Sequence, residues 1–236
     1  MSASPPPPPN RLLEALLRNC KALHARIEPV SFPVGHTVYV VGQAMTHVYF
    51  PTSGVLSILV QLENGESAEC LSVGNEGFIG LPVWLGQKRS IDQVIQQAPG
   101  ETRRISARAF CDLIEGSRGA TRLLKHFAAY SLQAAYRGVV CNTHHSVSER
   151  VCRWILATAD RARSSQLQLS HALLAHMLGV QRPTVTDVAS GLKREGVLSY
   201  RRAAITILDR HQLERRACEC YRVMNELYAQ LVAPLL

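Results

Sequence analysis

Residues 169–200 read LSHALLAHMLGVQRPTVTDVASGLKREGVLSY, and this stretch decides the fold. Ser170 can cap the N-terminus of a helix that carries leucines at helical spacing. Gly179 stands where that helix must end in a left-handed residue, and glycine takes this conformation without strain. Pro183 then suits the first turn of a second helix, where its missing N–H costs nothing. The stretch therefore predicts two short helices joined by a tight turn.

The spacing of three residues favours a helix-turn-helix over an ordinary helical hairpin, which stays the alternative. Ala175 is small where the helices cross, Gly179 makes the turn and Val185 anchors the second helix. This arrangement fixes a steep angle that projects the second helix into the major groove of DNA. Two β-rich runs follow, at 198–202 and 204–208, and predict a hairpin wing. Arg201 and Arg202 lie at its tip.

Upstream, residues 120–141 predict one long helix, followed by a further helix over 146–161. One face of the long helix carries apolar and small residues every three or four positions. Small residues allow a second helix to approach closely, so we expect a dimer interface there, with packing on the chain's own barrel as the alternative. The residues of this expected interface are Leu124, Phe127, Ser131, Ala134 and Gly138.

The segment from 32 to 106 has a different composition. It holds nine of the 15 glycines, and short β-rich runs lie between them. Asn64 and Gly65 separate two of these runs, which is a strong hairpin signal. The fold class is therefore α+β: an N-terminal antiparallel β-roll of the double-stranded β-helix type, a long central helix and a C-terminal winged helix-turn-helix. We divide the chain into a disordered proline-rich tail (1–10), a sensor domain (11–119), a dimerisation helix and hinge (120–145) and a DNA-binding domain (146–236).

Composition narrows the class of protein. Lys and Arg number 26 against 18 Asp and Glu, a net charge of +8 that suits an anionic partner. No run is long and apolar enough to cross a membrane, and seven irregularly spaced cysteines indicate reduced thiols in the cytoplasm. No catalytic constellation can be assembled, so we expect no enzyme. Cys218 and Cys220 lie two apart in an expected helix over 212–232, where their side chains diverge, so we predict no metal site.

At this point the chain resembles the Crp/Fnr regulators, through residues 169–200 and the glycine-punctuated roll. The resemblance implies a homodimeric transcription factor on a two-fold-symmetric DNA site. Arg182 matches the family's guanine-reading arginine, a contact that its bidentate fork suits, and Thr184 matches a phosphate-contacting threonine. Pro183 and Asp187 depart from the family, which often has glutamate and arginine there. The expected DNA contacts are Ser170, His171, Gln181, Arg182, Thr184, Thr186, Asp187, Ser190, Lys193, Arg201 and Arg202.

The sensed signal is not evident from the sequence. Cyclic-nucleotide members of the family carry Phe-Gly-Glu and then Arg-Ser or Arg-Thr, but here Leu81 replaces the glutamate and Arg89 comes early. Cys20 alone lies near the N-terminus, too few thiolates for an iron–sulfur cluster. We therefore expect neither a cyclic nucleotide nor a cluster, while haem held by His24, His36, His47 or His126 stays open.

The expected partners are double-stranded DNA, a second copy of the chain and RNA polymerase, with no membrane. The rival hypothesis is a ligand-binding or protein-interaction module whose helix-turn-helix no longer reads DNA. Its support is Asp187, a carboxylate on the face that should meet phosphates or bases.

Overall fold

The computed structural model describes residues 10–201 and 204–236. The first helix, α1 (Arg11–Asn19), begins at Asn10, whose side chain accepts a hydrogen bond from the Leu13 N–H. The Asn10 amide also donates to the carbonyls of Pro51 and Gly77 at 2.8 and 2.7 Å. Asn10 is thus a buried cap of the folded unit, and its assignment to a disordered tail was wrong. The run of prolines lies outside the described residues.

Seven antiparallel strands form the predicted roll. They are β1 (Glu28–Phe32), β2 (Thr37–Tyr39), β3 (His47–Pro51), β4 (Val55–Gln61), β5 (Ser67–Val73), β6 (Gln93–Ala98) and β7 (Gly100–Ser106), with the short helix α2 (Leu81–Trp84) between β5 and β6. One sheet has the order β1-β7-β3 and the other β2-β6-β4-β5. Gly65 has a φ of +86° in the turn between β4 and β5, as the Asn-Gly signal predicts.

Two helices lead out of the roll. Ser106 caps α3 (Ala107–Glu115), and Ser117 caps the long helix α4 (Arg118–His144), which contains the whole predicted span 120–141. The face predicted to be a dimer interface packs on the chain's own roll: Leu124, Phe127, Ser131 and Ala134 are buried, and the Phe127 ring lies 5.4 Å from that of Phe78. Gly138 is half-buried. The apolar residues that α4 exposes are different ones, namely Leu132, Tyr136, Val139 and Val140.

The C-terminal part begins with α5 (Val147–Ala162), which Ser146 caps through a capping box with Glu149. It continues through β8 (Gln166–Gln168), α6 (His171–Leu178), α7 (Arg182–Arg194), β9 (Leu198–Arg201) and β10 (Ala204–Ile207). The three strands pair in the order β8-β10-β9. Its separate hydrophobic core includes Leu174, Val185 and Leu213. This confirms the α+β class with its C-terminal winged helix-turn-helix.

The end of the chain differs from the expected single helix over 212–232. It forms α8 (Arg210–Arg216) and α9 (Cys220–Leu231), separated by residues 217–219. Tyr228 and Val232 join the core of the roll and α4 rather than that of the winged part, and the Tyr228 ring contacts the Tyr130 ring edge-on at 5.3 Å. The C-terminal helix therefore joins the N-terminal core, contrary to its assignment to the DNA-binding domain. Among the helices of residues 10–201 and 204–236, none is both long and apolar enough to cross a membrane.

Candidate nucleic-acid interface

Local caps and one glycine build the two-helix motif. The Ser170 hydroxyl accepts from the Leu173 N–H and so begins α6, as predicted. Gly179 has a φ of +62° and ends α6 in the left-handed conformation. Gln181 stands before α7 but its side chain makes no capping bond, and Pro183 lies in the first turn. The predicted turn is thus confirmed at Ser170, Gly179 and Pro183.

A buried arginine that sequence reasoning missed also holds the turn. The Arg150 side chain reaches from α5 and donates to the carbonyl of Leu178 at 2.6 Å, in the last turn of α6. A guanidinium at a helix C-terminus satisfies a carbonyl that the helix leaves free and complements its dipole. Its position in α5, outside the motif, gave no signal in the sequence. Arg150 therefore fixes α6 to the helix that precedes the motif.

The outer face of α7 is exposed and polar. Arg182, Thr184, Asp187, Ser190 and Lys193 all lie on it and are exposed, while Val185, Ala189 and Leu192 face the core. No ion pair engages Arg182 or Lys193 within the described part of the chain. Both cations are thus available to a negatively charged partner.

Two of the residues expected to contact DNA, His171 and Thr186, also bond each other. The His171 Nδ1 lies 3.1 Å from the Thr186 hydroxyl, which donates to the Arg182 carbonyl. The His171 ring stacks on that of Tyr200 in β9, with centroids 4.2 Å apart, and burial lowers the pKa of this histidine. His171 is therefore not a solvent-facing residue. It joins α6, α7 and the wing, and so positions the exposed face of α7.

The wing is present as predicted. Strands β9 and β10 pair in antiparallel register, with Arg201 opposite Ala204, and Arg201 is exposed. Arg202 lies outside the described residues. Arg216 pairs with Glu195, which directly follows α7. The surface that α7 and the wing form together carries Arg182, Lys193 and Arg201 among its exposed cations.

Comparison with known proteins agrees with this geometry. The model of the Crp-like helix-turn-helix domain matches residues 149–216. A CRP-like cAMP-activated global transcriptional regulator of Mycobacterium tuberculosis is 25% identical over an alignment of 207 positions that covers 83% of this chain and 91% of that protein. The chain contains a Crp-like helix-turn-helix domain and is similar to Crp/Fnr-type transcriptional regulators.

Two solved structures share the fold over about four fifths of the chain. FixK2 from Bradyrhizobium japonicum superimposes with a TM-score of 0.69 at 17% identity, covering 81% of this chain and 98% of FixK2. A CRP-family regulator from Thermus thermophilus gives a TM-score of 0.67 at 18% identity, covering 80% of this chain and 96% of that regulator. The roll, the long helix and the winged motif thus follow an architecture that these two structures share.

A small cavity lies between the roll and α4. Its volume is about 130 Å³, and its lining includes Leu81, Asp92 and Phe127. Burial raises the pKa of the Asp92 carboxyl. Arg89, the candidate phosphate ligand, is exposed and donates to the Gly42 carbonyl at 2.7 Å, and it does not line the cavity. The cavity lining therefore offers no cationic side chain to a phosphate.

Three of the four histidines named as candidate haem ligands have internal contacts. His126 Nδ1 lies 2.9 Å from the Leu231 carbonyl, the His36 ring stacks on Phe32 at 4.7 Å, and His47 Nδ1 lies 2.9 Å from the Thr46 hydroxyl. None of these three lines the cavity beneath α4.

One cluster of metal-ligating residues lies away from the DNA-binding surface. Because α8 and α9 are separate helices, Cys218 and Cys220 do not diverge as two positions of one helix would. They meet Cys141 and His145 at the end of α4, and the four potential ligand atoms lie within 4.8 Å of one another. The geometric argument against a metal site at these cysteines was therefore wrong.

Proposed function

We propose that this regulator is a homodimer that binds a two-fold-symmetric DNA site, with α7 in the major groove and Arg182 as the main base-reading residue. The observation that carries this proposal is the exposed, unpaired Arg182 in the first turn of α7, beside the exposed Thr184, within the described part of the chain. An arginine there can donate two hydrogen bonds to the O6 and N7 atoms of guanine. Lys193 and Arg201 are proposed phosphate contacts, which set orientation and affinity.

The dimer would form through the exposed face of α4, defined by Leu132, Tyr136, Val139 and Val140. The first three of these residues follow a spacing of four and three, which is the spacing of a two-helix seam. A parallel pair of α4 helices would set two recognition helices for half-sites about 34 Å apart, one turn of DNA. This face replaces the one first expected, four of whose five residues are buried within the chain.

The oligomeric state tests this step directly. Leu132→Asp should convert the dimer to a monomer in sedimentation-velocity experiments, because it buries a carboxylate in the seam. Leu85→Asp is the matched control, since Leu85 is similarly exposed but lies in the roll, at 65% against 51% for Leu132. Equal sedimentation of the two variants would contradict the proposed seam.

We further propose that the signal is not a cyclic nucleotide. The mycobacterial relative is described as cAMP-activated, but here Leu81 replaces the ribose-binding glutamate and Arg89 bonds the Gly42 carbonyl. A cavity of about 130 Å³ is also smaller than the ~300 Å³ at which ligand pockets begin. Titration calorimetry with cAMP and cGMP should give no heat of binding, and saturable binding of either would contradict this proposal.

DNA recognition is tested by selecting random duplex DNA with purified protein. The wild type should enrich a two-fold motif, and Arg182→Ala should lose preference at one guanine in each half-site, by about 1–3 kcal/mol. Lys193→Ala is the matched control. It should weaken binding to all sequences alike, and it should make the fall of log affinity with log salt shallower by about one. A guanine preference that survives in Arg182→Ala would refute the assigned role.

The rival function, an interaction module that does not read DNA, rests on the exposed Asp187. It predicts no enriched motif and no dependence of binding on salt.

Three further proposals follow from a role in transcription. The protein would contact RNA polymerase, and it would act in the cytoplasm, where the chromosome lies. We propose no catalytic activity for it.

A further inference from the structure

Four side chains from two distant parts of the chain converge at the end of the long helix. Cys141 lies in the last turn of α4 and His145 directly follows this helix, while Cys218 precedes α9 and Cys220 begins it. The Sγ atoms of Cys141 and Cys218 are 3.6 Å apart, and the Cys220 Sγ lies 3.7 Å from His145 Nδ1. All three cysteines are buried in a small cluster separate from both main cores.

These separations match those around one tetrahedral metal ion. Zinc–sulfur bonds of about 2.3 Å place neighbouring ligand sulfurs about 3.8 Å apart. The ligand atoms here already lie within 4.8 Å of one another, so only small side-chain rotations are needed to surround one ion. We propose that Cys141, His145, Cys218 and Cys220 bind a single structural zinc ion.

The ligand set selects the class of metal. Three thiolates and one imidazole form a closed tetrahedral set that suits zinc and leaves no position open for a substrate. An iron–sulfur cluster would place its thiolates on several iron atoms, farther apart than these sulfurs. Calcium and magnesium prefer oxygen ligands, which this group does not contain.

The surroundings of the cluster support the assignment. His145 Nε2 lies 2.9 Å from a Glu219 carboxylate oxygen, so the imidazole can donate there and leave Nδ1 free for the metal. A carboxylate behind a histidine is the usual outer partner of a zinc ligand.

Charge balance points the same way. Three thiolates around one divalent ion leave one net negative charge in a buried site. Arg153 is close enough to interact with Cys141, and its Nε is buried with no hydrogen-bond partner among the described residues. Its positive charge would offset part of the charge of the loaded site.

The ion would join two segments that are 77 residues apart at the Cys141–Cys218 contact. It would fix the C-terminal end of α4 to the link that precedes α9. The start of the connection from α4 to α5 would be held in place with it. Because the unfolded chain has no such site, binding would contribute to folding stability. This inference does not depend on DNA binding.

The first experiment counts metal in the full chain. Protein purified under reducing conditions and dialysed should hold about one zinc ion per chain by mass spectrometry of the metal. Cys218→Ser should remove it, and Cys70→Ser is the matched control because Cys70 is an exposed cysteine outside the cluster. Cobalt in place of zinc should give the visible absorption of a tetrahedral thiolate site. Equal zinc in Cys218→Ser and Cys70→Ser would overturn the proposal.

A second variant keeps the test valid if Cys218→Ser fails to fold. Glu219 is half exposed, and Glu219→Gln removes the charge behind His145 without removing a ligand. It should weaken zinc binding about 10- to 100-fold in competition with a chromophoric chelator. Undiminished affinity in Glu219→Gln, no zinc in the wild type, or a Cys141–Cys218 disulfide in freshly purified protein would each overturn the proposal.

Discussion

A buried ion pair joins the roll to the DNA-binding part, and breaking it should be costly. Arg161 near the end of α5 donates through Nε to a Glu76 carboxylate oxygen at 2.8 Å, and the two side chains are only 16% and 8% exposed. Burial opposes the charged guanidinium, but Glu76 beside it raises the pKa of Arg161 on balance. Arg161→Met would leave the Glu76 carboxylate buried and without its cation.

Removing one partner of a buried pair costs about 3–5 kcal/mol. The residual exposure of Arg161 favours the lower end, and at roughly 2–4 °C per kcal/mol for a chain of this size, Tm should fall by about 6–12 °C. The measurement is thermal unfolding followed by circular dichroism. Glu76→Gln added to Arg161→Met should restore part of the loss, because no buried charge is then unpaired.

A matched control separates the buried pair from any loss of arginine. Arg222→Met breaks the exposed pair between Arg222 and Glu226 in α9, and it should leave Tm nearly unchanged. The reasoning is refuted if the Tm of Arg161→Met falls no further than the Tm of Arg222→Met. It is also refuted if the double variant of Arg161 and Glu76 is less stable than Arg161→Met alone.

Three further changes test other parts of the fold. Burial raises the pKa of the Glu69 carboxyl above its ordinary 4.5, so the folded state holds this proton more tightly and stability falls as the pH rises from 4.5 toward the folded-state pKa. Glu69→Gln should flatten that fall in urea titrations at several pH values, and an unchanged slope would contradict the assignment. Gly179→Ala should cost about 1 kcal/mol in urea unfolding, because Gly179 has a φ of +62°. Gly77→Ala should cost about 1–3 kcal/mol in the same assay, since an added Cβ meets the Phe127 ring; a neutral effect would show that this ring can move.

The helix-turn-helix could be predicted because its determinants are local. The Ser170 cap and the Gly179 turn act within a few residues along the chain, so the sequence carries them whatever surrounds the motif. The Asn64-Gly65 hairpin is local in the same way. The bond between His171 and Thr186 was not predictable, because it depends on how α6 and α7 cross.

The prediction of the dimer face failed for a different reason. Helical periodicity identifies which residues of α4 share a face, but not which neighbour covers that face. Phe127 and Leu132 lie on two apolar faces of one helix, and only the packing of the roll decides that Phe127 is buried. The small residues that favoured one face, such as Ser131, serve close packing against the chain's own roll just as well.

The cysteine cluster could not be predicted from the sequence, because it depends on a break between two helices that no glycine or proline marks. Residues 217–219 separate α8 from α9, and no residue there forces a helix to end. Once the helix breaks, the angle between two positions two apart no longer follows the helical 100° per residue. Cys141 then becomes a neighbour of Cys218 through tertiary packing alone.

The roll cavity, the proposed dimer seam and the cysteine cluster all involve the long helix α4. Phe127 closes the roll cavity from one face of α4, Leu132 and Val139 lie on its exposed face, and Cys141 lies in its last turn. A packed helix transmits displacement along its axis because its core contacts have few alternative arrangements. A change in the cavity would therefore act on the proposed dimer seam and on the joint with α5 at once. In the proposed dimer, the position of both recognition helices would then depend on how the end of α4 is held.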